Sequence, residues 1–233
     1  RDFAFSVMDE AEEGISDENK WIWNDKEIVM ALVQHTGYAL STASDSLKKD
    51  KEIVMMAVSI DGGALKYADA SLKKNKKIIM KAISDDGGAI QYADNAFKKD
   101  RKIVTKAVQR FKPWSSGTAL EFVDQSLKKD KQIVKMAVKV NGSALKYADN
   151  SLKKDKDIVT MATKEYGLAF RYADQSLKKD RKMILMAVQE LGKNLIFAPD
   201  DLKKDKKIVI AALNNDDQVL KYVDKSLKND PEI

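Results

Sequence analysis

Residues 46–58 read SLKKDKEIVMMAV and residues 71–83 read SLKKNKKIIMKAI. The phrase keeps returning. The apolar residue ahead of its basic pair falls at Ile22, Leu47, Leu72, Phe97, Leu127, Leu152, Leu177, Leu202 and Leu227, every step 25 residues except one of 30. A fixed period of this size marks an array of stacked supersecondary units. It overrides the one or two globular domains that 233 residues would otherwise suggest.

Within each unit a helix-start residue follows the basic pair: Asp25, Asp50, Asn75, Asp100, Asp130, Asp155, Asp180 or Asp205. Its side chain suits the unpaired N–H groups of a first helical turn. Apolar residues three, four, seven and eight places on, as in Ile53, Val54, Ala57 and Val58, share one face of a 3.6-residue helix. Gly37, Gly62, Gly87, Gly142, Gly167 and Gly192 come twelve residues after the cap, where a left-handed residue would end that helix. A second helix of about two turns is expected over stretches such as Ala64–Ala68, and Asp69 and Ser71 bracket a single connecting turn. Helices this short are marginal alone, so each unit must bury its apolar face against its neighbours. The spacing predicts an all-α fold, an α-solenoid of about eight 25-residue helix-turn-helix repeats over 22–233, preceded by a capping or preceding helical segment over 1–21. Trp21 and Trp23 are expected to close the first interface. The chain starts at Arg1 and closes on Asp230-Pro231-Glu232-Ile233 as another phrase opens, which reads as a fragment of a longer protein.

Little in the chain points to catalysis. It has no Cys and a single His, His35, placed at the end of the first helix, so neither a thiolate metal site nor a nucleophilic triad is expected, and no catalytic residue, metal or cofactor is assigned. No GxxxxGK[ST] or GxGxxG stretch offers a phosphate loop. Apolar runs of only a few residues carry no transmembrane segment. The acids Asp69, Asp94, Asp124, Asp149, Asp174 and Asp224 recur in every unit beside the rings Tyr67, Tyr92, Phe122, Tyr147, Tyr172, Phe197 and Tyr222. A feature repeated in each turn reads as structure: connector caps and a packed aromatic ladder.

Two features are candidate binding elements. The first is Trp114, in a five-residue insertion over 109–117 that also holds Pro113 and Gly117; it is an interface anchor, or it folds back over the neighbouring unit. The second is the basic column of Lys49, Lys51, Lys74, Lys76, Lys99, Arg101, Lys129, Lys131, Lys154, Lys156, Lys179 and Arg181. A cation in the first turn of a helix opposes the helix dipole, so its recurrence needs a reason. One is a solvated ladder in which each cation pairs with a capping Asp of its own or an adjacent unit. The other is a ridge for a polyanion, nucleic acid or an anionic membrane surface. A net charge of only +6, with acids running beside the cations, favours the ladder.

The phrase L-K-K-D-K-x-I-V-x-x-A-V followed by G-x-A-L-x-Y-A-D, at 47–58 with 62–69 and at 127–138 with 142–149, resembles the family known as domain of unknown function 4116. The resemblance runs over residues 22–233; Phe197-Ala198-Pro199, Asp217 and the insertion depart from it. It implies tandem helical repeats within large bacterial or protist proteins, some regarded as effectors delivered by intracellular bacteria, and it implies no reaction. The expected function is a non-enzymatic scaffold for an unidentified protein partner, cytoplasmic or delivered into a host cytoplasm. Polyanion binding through the lysine ridge is the alternative.

Overall fold

The computed structural model describes residues 21–110, 112 and 118–233. The expected segment over 1–21 therefore lies outside the described residues except for Trp21, and so does Trp114. Two compact units divide the chain, Arg1–Asp124 and Gln125–Ile233. Both are all-α repeat solenoids with no strand among the described residues. The first carries α1 (Lys26–His35), α2 (Lys51–Ile60), α3 (Lys76–Asp85) and α4 (Arg101–Val108); the second carries α5 (Lys131–Val140), α6 (Lys156–Glu165), α7 (Arg181–Glu190) and α8 (Lys206–Asn215).

Each of these eight helices starts at the residue expected. The Asp50 carboxylate accepts from the N–H groups of Glu52 and Ile53 at 2.8 and 3.2 Å, and Asn75 accepts from Lys77 and Ile78 at 3.0 and 3.4 Å. The stripe at three, four, seven and eight residues from the cap is the core: Ile53, Val54, Ala57 and Val58 are fully buried, as are Ile133, Val134 and Val138. Burying one such branched side chain stabilises the fold by about 1.5–3 kcal/mol. The partner surface is the next repeat, since α1 packs on α2, α2 on α3, α5 on α6 and α7 on α8.

The helix ends differ from expectation. The residue before the glycine is extended, as at Asp61 with φ −141° and ψ 109°, and none of the six column glycines is left-handed. Glycine is required for space instead. A Cβ on Gly62 would lie 2.4 Å from the carbonyl oxygen of Ala82; for Gly37, Gly87, Gly142 and Gly192 the carbonyls of Ala57, Ala107, Ala162 and Ala212 would lie 2.5, 2.0, 2.3 and 2.5 Å away. The backbone of one repeat therefore rests directly on the helix of the next. The glycine N–H can also be met from there: Gly62 donates to Asp85 at 2.8 Å and Gly192 to Asn215 at 2.7 Å.

The second element has its expected two turns, but in most repeats it is a 3₁₀ helix, as in Gly62–Tyr67, Gly87–Tyr92, Gly142–Tyr147 and Gly167–Tyr172. A six-residue segment has few internal hydrogen bonds to lose by tightening. The residue before the glycine caps it: Asp61, Asp86, Asn141 and Asp216 accept from the N–H groups of Gly63, Gly88, Ser143 and Gln218 at 2.8–3.0 Å. After it comes the connector. Asp69 takes both the N–H and the hydroxyl of Ser71, at 2.9 and 2.6 Å, and Asp149, Asp174 and Asp224 hold Ser151, Ser176 and Ser226 the same way. The connector acids are caps. Their own N–H groups tie repeat to repeat, Asp69 to the Lys48 carbonyl and Asp174 to the Lys153 carbonyl, both at 3.0 Å. Pro199 stands in this column and has no N–H to give.

At the start of the described chain Trp23 is buried and its carbonyl accepts from Ser44 at 2.8 Å, as the first interface requires. Trp21 is 58% exposed and does not close it. Lys112, in the insertion, reaches Asp85 at 2.7 Å.

Candidate interaction surface

In five repeats the cation one residue after the cap lies against the cap of the following repeat. Lys26 meets Asp50 at 2.8 Å, Lys131 meets Asp155 at 2.5 Å, Lys156 meets Asp180, Arg181 grips Asp205 through Nε and Nη2 at 2.6 and 3.0 Å, and Lys206 meets Asp230 at 2.6 Å. Each of these five carboxylates thus accepts one or two backbone N–H groups plus a cation from the repeat before. The Lys26, Lys156 and Arg181 hydrogen bonds hold the Asp50, Asp180 and Asp205 carboxyls below their ordinary range. The cost of a cation beside a helix start is thereby offset, although exposed pairs of this kind add little stability each. Lys51 faces a repeat whose cap is the neutral Asn75; among the described residues neither it nor Lys76 forms an ion pair within 4 Å. Arg101 is not without a partner.

The second lysine of most basic pairs borders the next connector acid. Lys99 stands 3.9 Å from Asp124, and the charges of Lys49, Lys129 and Lys154 add to the hydrogen bonds from Ser71, Ser151 and Ser176 that keep Asp69, Asp149 and Asp174 below the usual carboxylate range. Lys74 and Lys179 are exposed, and Pro199 takes the place of the acid due opposite Lys179. The first lysine of the pair turns inward. Lys73 donates to the Lys66 carbonyl and Lys178 to the Arg171 carbonyl, each at 2.7 Å, closing the C-terminal end of a 3₁₀ helix. Burial lowers the pKa of Lys73, Lys153 and Lys178, and the Lys178 ammonium sits 5.1 Å from the Phe197 ring centre.

The ring column lies half-buried along the short helices. Tyr67 packs edge-on against Tyr38 at 5.4 Å between centres, and burial, helped by Tyr38, pushes its hydroxyl up to about 12. The residue before the ring is often a cation lying over it: Lys66, Lys146, Arg171 and Lys221 sit 5.4, 5.0, 5.4 and 5.1 Å from the centres of Tyr67, Tyr147, Tyr172 and Tyr222. The sequence reads the ring column as packing and these cations pass unremarked; their signal was a basic residue at that place in four of the eight repeats. Large apolar side chains also remain exposed between repeats, among them Ile60, Tyr166, Leu168 and Ile196. A shallow cleft of about 440 Å³ runs along α2 by Met55, Met56 and Lys51. Another of about 370 Å³ lies between connectors by Asp45, Lys49, Tyr67 and Asp69.

His35 is the last residue of α1. Among the described residues no group of three or more His, Cys, Asp or Glu could hold a metal ion, and no helix is long and apolar enough to cross a membrane.

No curated protein and no solved structure matches the chain. One family model does, that described as a domain of unknown function (DUF4116), over residues 25–73, 75–128, 115–153, 130–178 and 180–228. Most of these matches take in about two of the 25-residue units. With the matches covering nearly all of the repeat array, the chain belongs to the DUF4116 family.

Proposed function

We propose that the array is a non-enzymatic scaffold, binding or spacing other proteins within a larger polypeptide, in the cytoplasm or in a host cytoplasm to which it is delivered. One observation carries the reading. The positions that hold the stack together repeat almost unchanged, whereas the exposed positions between repeats vary, among them Ile60, Lys139, Lys164 with Glu165, and Gln189 with Glu190. Exposed Ile60, Tyr166, Leu168 and Ile196 give such a surface apolar contacts of the kind that anchor protein partners.

The lysine columns support the rival polyanion reading less. Lys131, Lys156 and Arg181 are held by carboxylates of the next repeat, and a phosphate would have to displace those carboxylates.

Affinity capture with the intact array, followed by the same capture with Ile60, Leu168 and Ile196 each changed to Ser, tests the scaffold. The expected result is a defined set of retained proteins, part of it lost with the substitutions at unchanged unfolding midpoint. Retention of nothing, or an identical set from every variant, contradicts it. Steep salt-dependent binding of nucleic acid or anionic vesicles would favour the rival.

A further inference from the structure

In the second unit four short helices lie side by side: Gly142–Tyr147, Gly167–Tyr172, Gly192–Phe197 and Asp217–Tyr222. A 3₁₀ helix repeats every three residues, so its second and fifth residues share one face. Those pairs are Ser143 with Lys146, Leu168 with Arg171, Lys193 with Ile196, and Gln218 with Lys221; all but Ser143 are exposed. The row carries four cations and no acid. The corresponding row of the first unit is Tyr38 with Ser41, Gly63 with Lys66, Gly88 with Gln91, and Thr118 with Glu121, whose single cation is balanced by a single acid.

These cations differ from those of the ladder. Among the described residues Lys146, Arg171 and Lys221 form no ion pair within 4 Å; each lies over its own tyrosine ring instead. Lys193 approaches Asp216 only to 3.8 Å. The Lys178 ammonium, bound to the Arg171 carbonyl, lies near the row as well, with the charge of Asp174 acting on it. Resting on a ring restricts a long side chain before a ligand arrives, which lowers the entropy lost on binding. Leu168, 37% exposed, and Ile196, 46% exposed, stand between the cations, with Tyr166 at 44% beside them.

We infer that the outward face of these four short helices docks an acidic segment of a partner protein whose apolar side chains rest on Leu168 and Ile196. Three cations without an ion pair among the described residues, Lys146, Arg171 and Lys221, call for carboxylates, and the exposed aliphatic side chains call for more than charge. Nucleic acid fits less well, because Tyr147, Tyr172 and Tyr222 are half-buried and already covered by cations, leaving no open ring for a base. The inference rests on the scaffold reading and gives one partner class to it.

The test is fluorescence anisotropy on the full chain with a labelled peptide alternating Glu with Leu. Its Glu-to-Gln and Leu-to-Ser analogues, polyglutamate and single-stranded DNA serve as the comparison probes. The parent peptide is expected to bind with a Kd on the order of 10 µM, and either analogue to bind about tenfold more weakly. Arg171→Glu, and Leu168→Ser combined with Ile196→Ser, should each weaken the parent peptide about tenfold, while Lys66→Glu in the first unit leaves it within about twofold. Urea midpoints of the variants guard against unfolding. No binding of the parent peptide overturns the inference. So do equal affinity for polyglutamate or DNA, indifference to Leu168 and Ile196, and equal loss with Lys66→Glu. If the peptide fails while the proteins captured by the intact array survive Arg171→Glu, this face is wrong and the scaffold reading stands. If the intact array captures nothing, that reading falls as well.

Discussion

The carbonyl oxygen of Ala82 occupies the place where a β-carbon on Gly62 would go, 2.4 Å from it. Gly62→Ala must therefore push two repeats apart, and Gly87→Ala, with two carbonyl oxygens at 2.0 and 2.2 Å, must push further. Each is expected to destabilise the array by about 2 kcal/mol or more. Gly63→Ala meets first the Asp61 side chain, nearest at 3.1 Å, and is expected to cost under about 1 kcal/mol. Urea denaturation of the three variants checks the order.

Asp50 serves both as helix cap and as acceptor for the Lys26 ammonium. Asp50→Ala removes both roles and is expected to cost about 1 kcal/mol. Asp50→Asn keeps the cap, as Asn75 does in the next repeat, and should cost clearly less. Equal losses from the two variants, measured by thermal or urea unfolding, would make the ion pair the dominant part.

Stability should also respond to acid. Asp50, Asp180 and Asp205 are depressed by their cations, and Asp69, Asp149, Asp174 and Asp224 by hydrogen bonds from the connector serines. Folded carboxyls that titrate below the unfolded value of about 3.9 contribute stability that is complete above it and lost as pH falls through the folded values. Urea midpoints should hold level from neutral pH to about pH 5 and drop below about pH 4. A fall confined to the range between pH 7 and pH 5 would contradict this.

Neighbouring lysines should behave unlike one another. Lys178 is buried, donates to the Arg171 carbonyl and lies over Phe197, so Lys178→Ala loses packing and leaves an acceptor unmet, at about 1–2 kcal/mol. Lys179 is exposed, and Lys179→Ala should stay within about 0.5 kcal/mol. Paired denaturation curves read the difference.

The parts legible in the sequence were those whose cause lies within one repeat. Asp50 caps the helix three residues ahead of Ile53, and Ile53, Val54, Ala57 and Val58 share a face because of helical geometry alone. Misread parts have their cause in the next repeat. The twelfth residue after the cap suggested a left-handed stop, but Gly62 answers to Ala82, twenty positions on, and no local rule foretells that approach. The tight second helix escaped notice because Leu65 and Ala68 fit 3₁₀ and α spacing alike over so few residues. In the candidate surface the Lys column and its capping-Asp partners were legible, but the choice between an Asp of the same unit and one of the next was not, since Lys131 and Asp155 meet only through stacking. The tyrosine-backed cations Lys146 and Arg171 look in sequence like any exposed basic residue.

Circular dichroism of the isolated repeat, residues 50–74, set beside the full chain, tests most directly whether neighbours supply the burial that one unit lacks. The account predicts a largely unfolded peptide without a cooperative transition and a helical, cooperatively melting full chain. A single repeat that is helical and melts cooperatively on its own would contradict it.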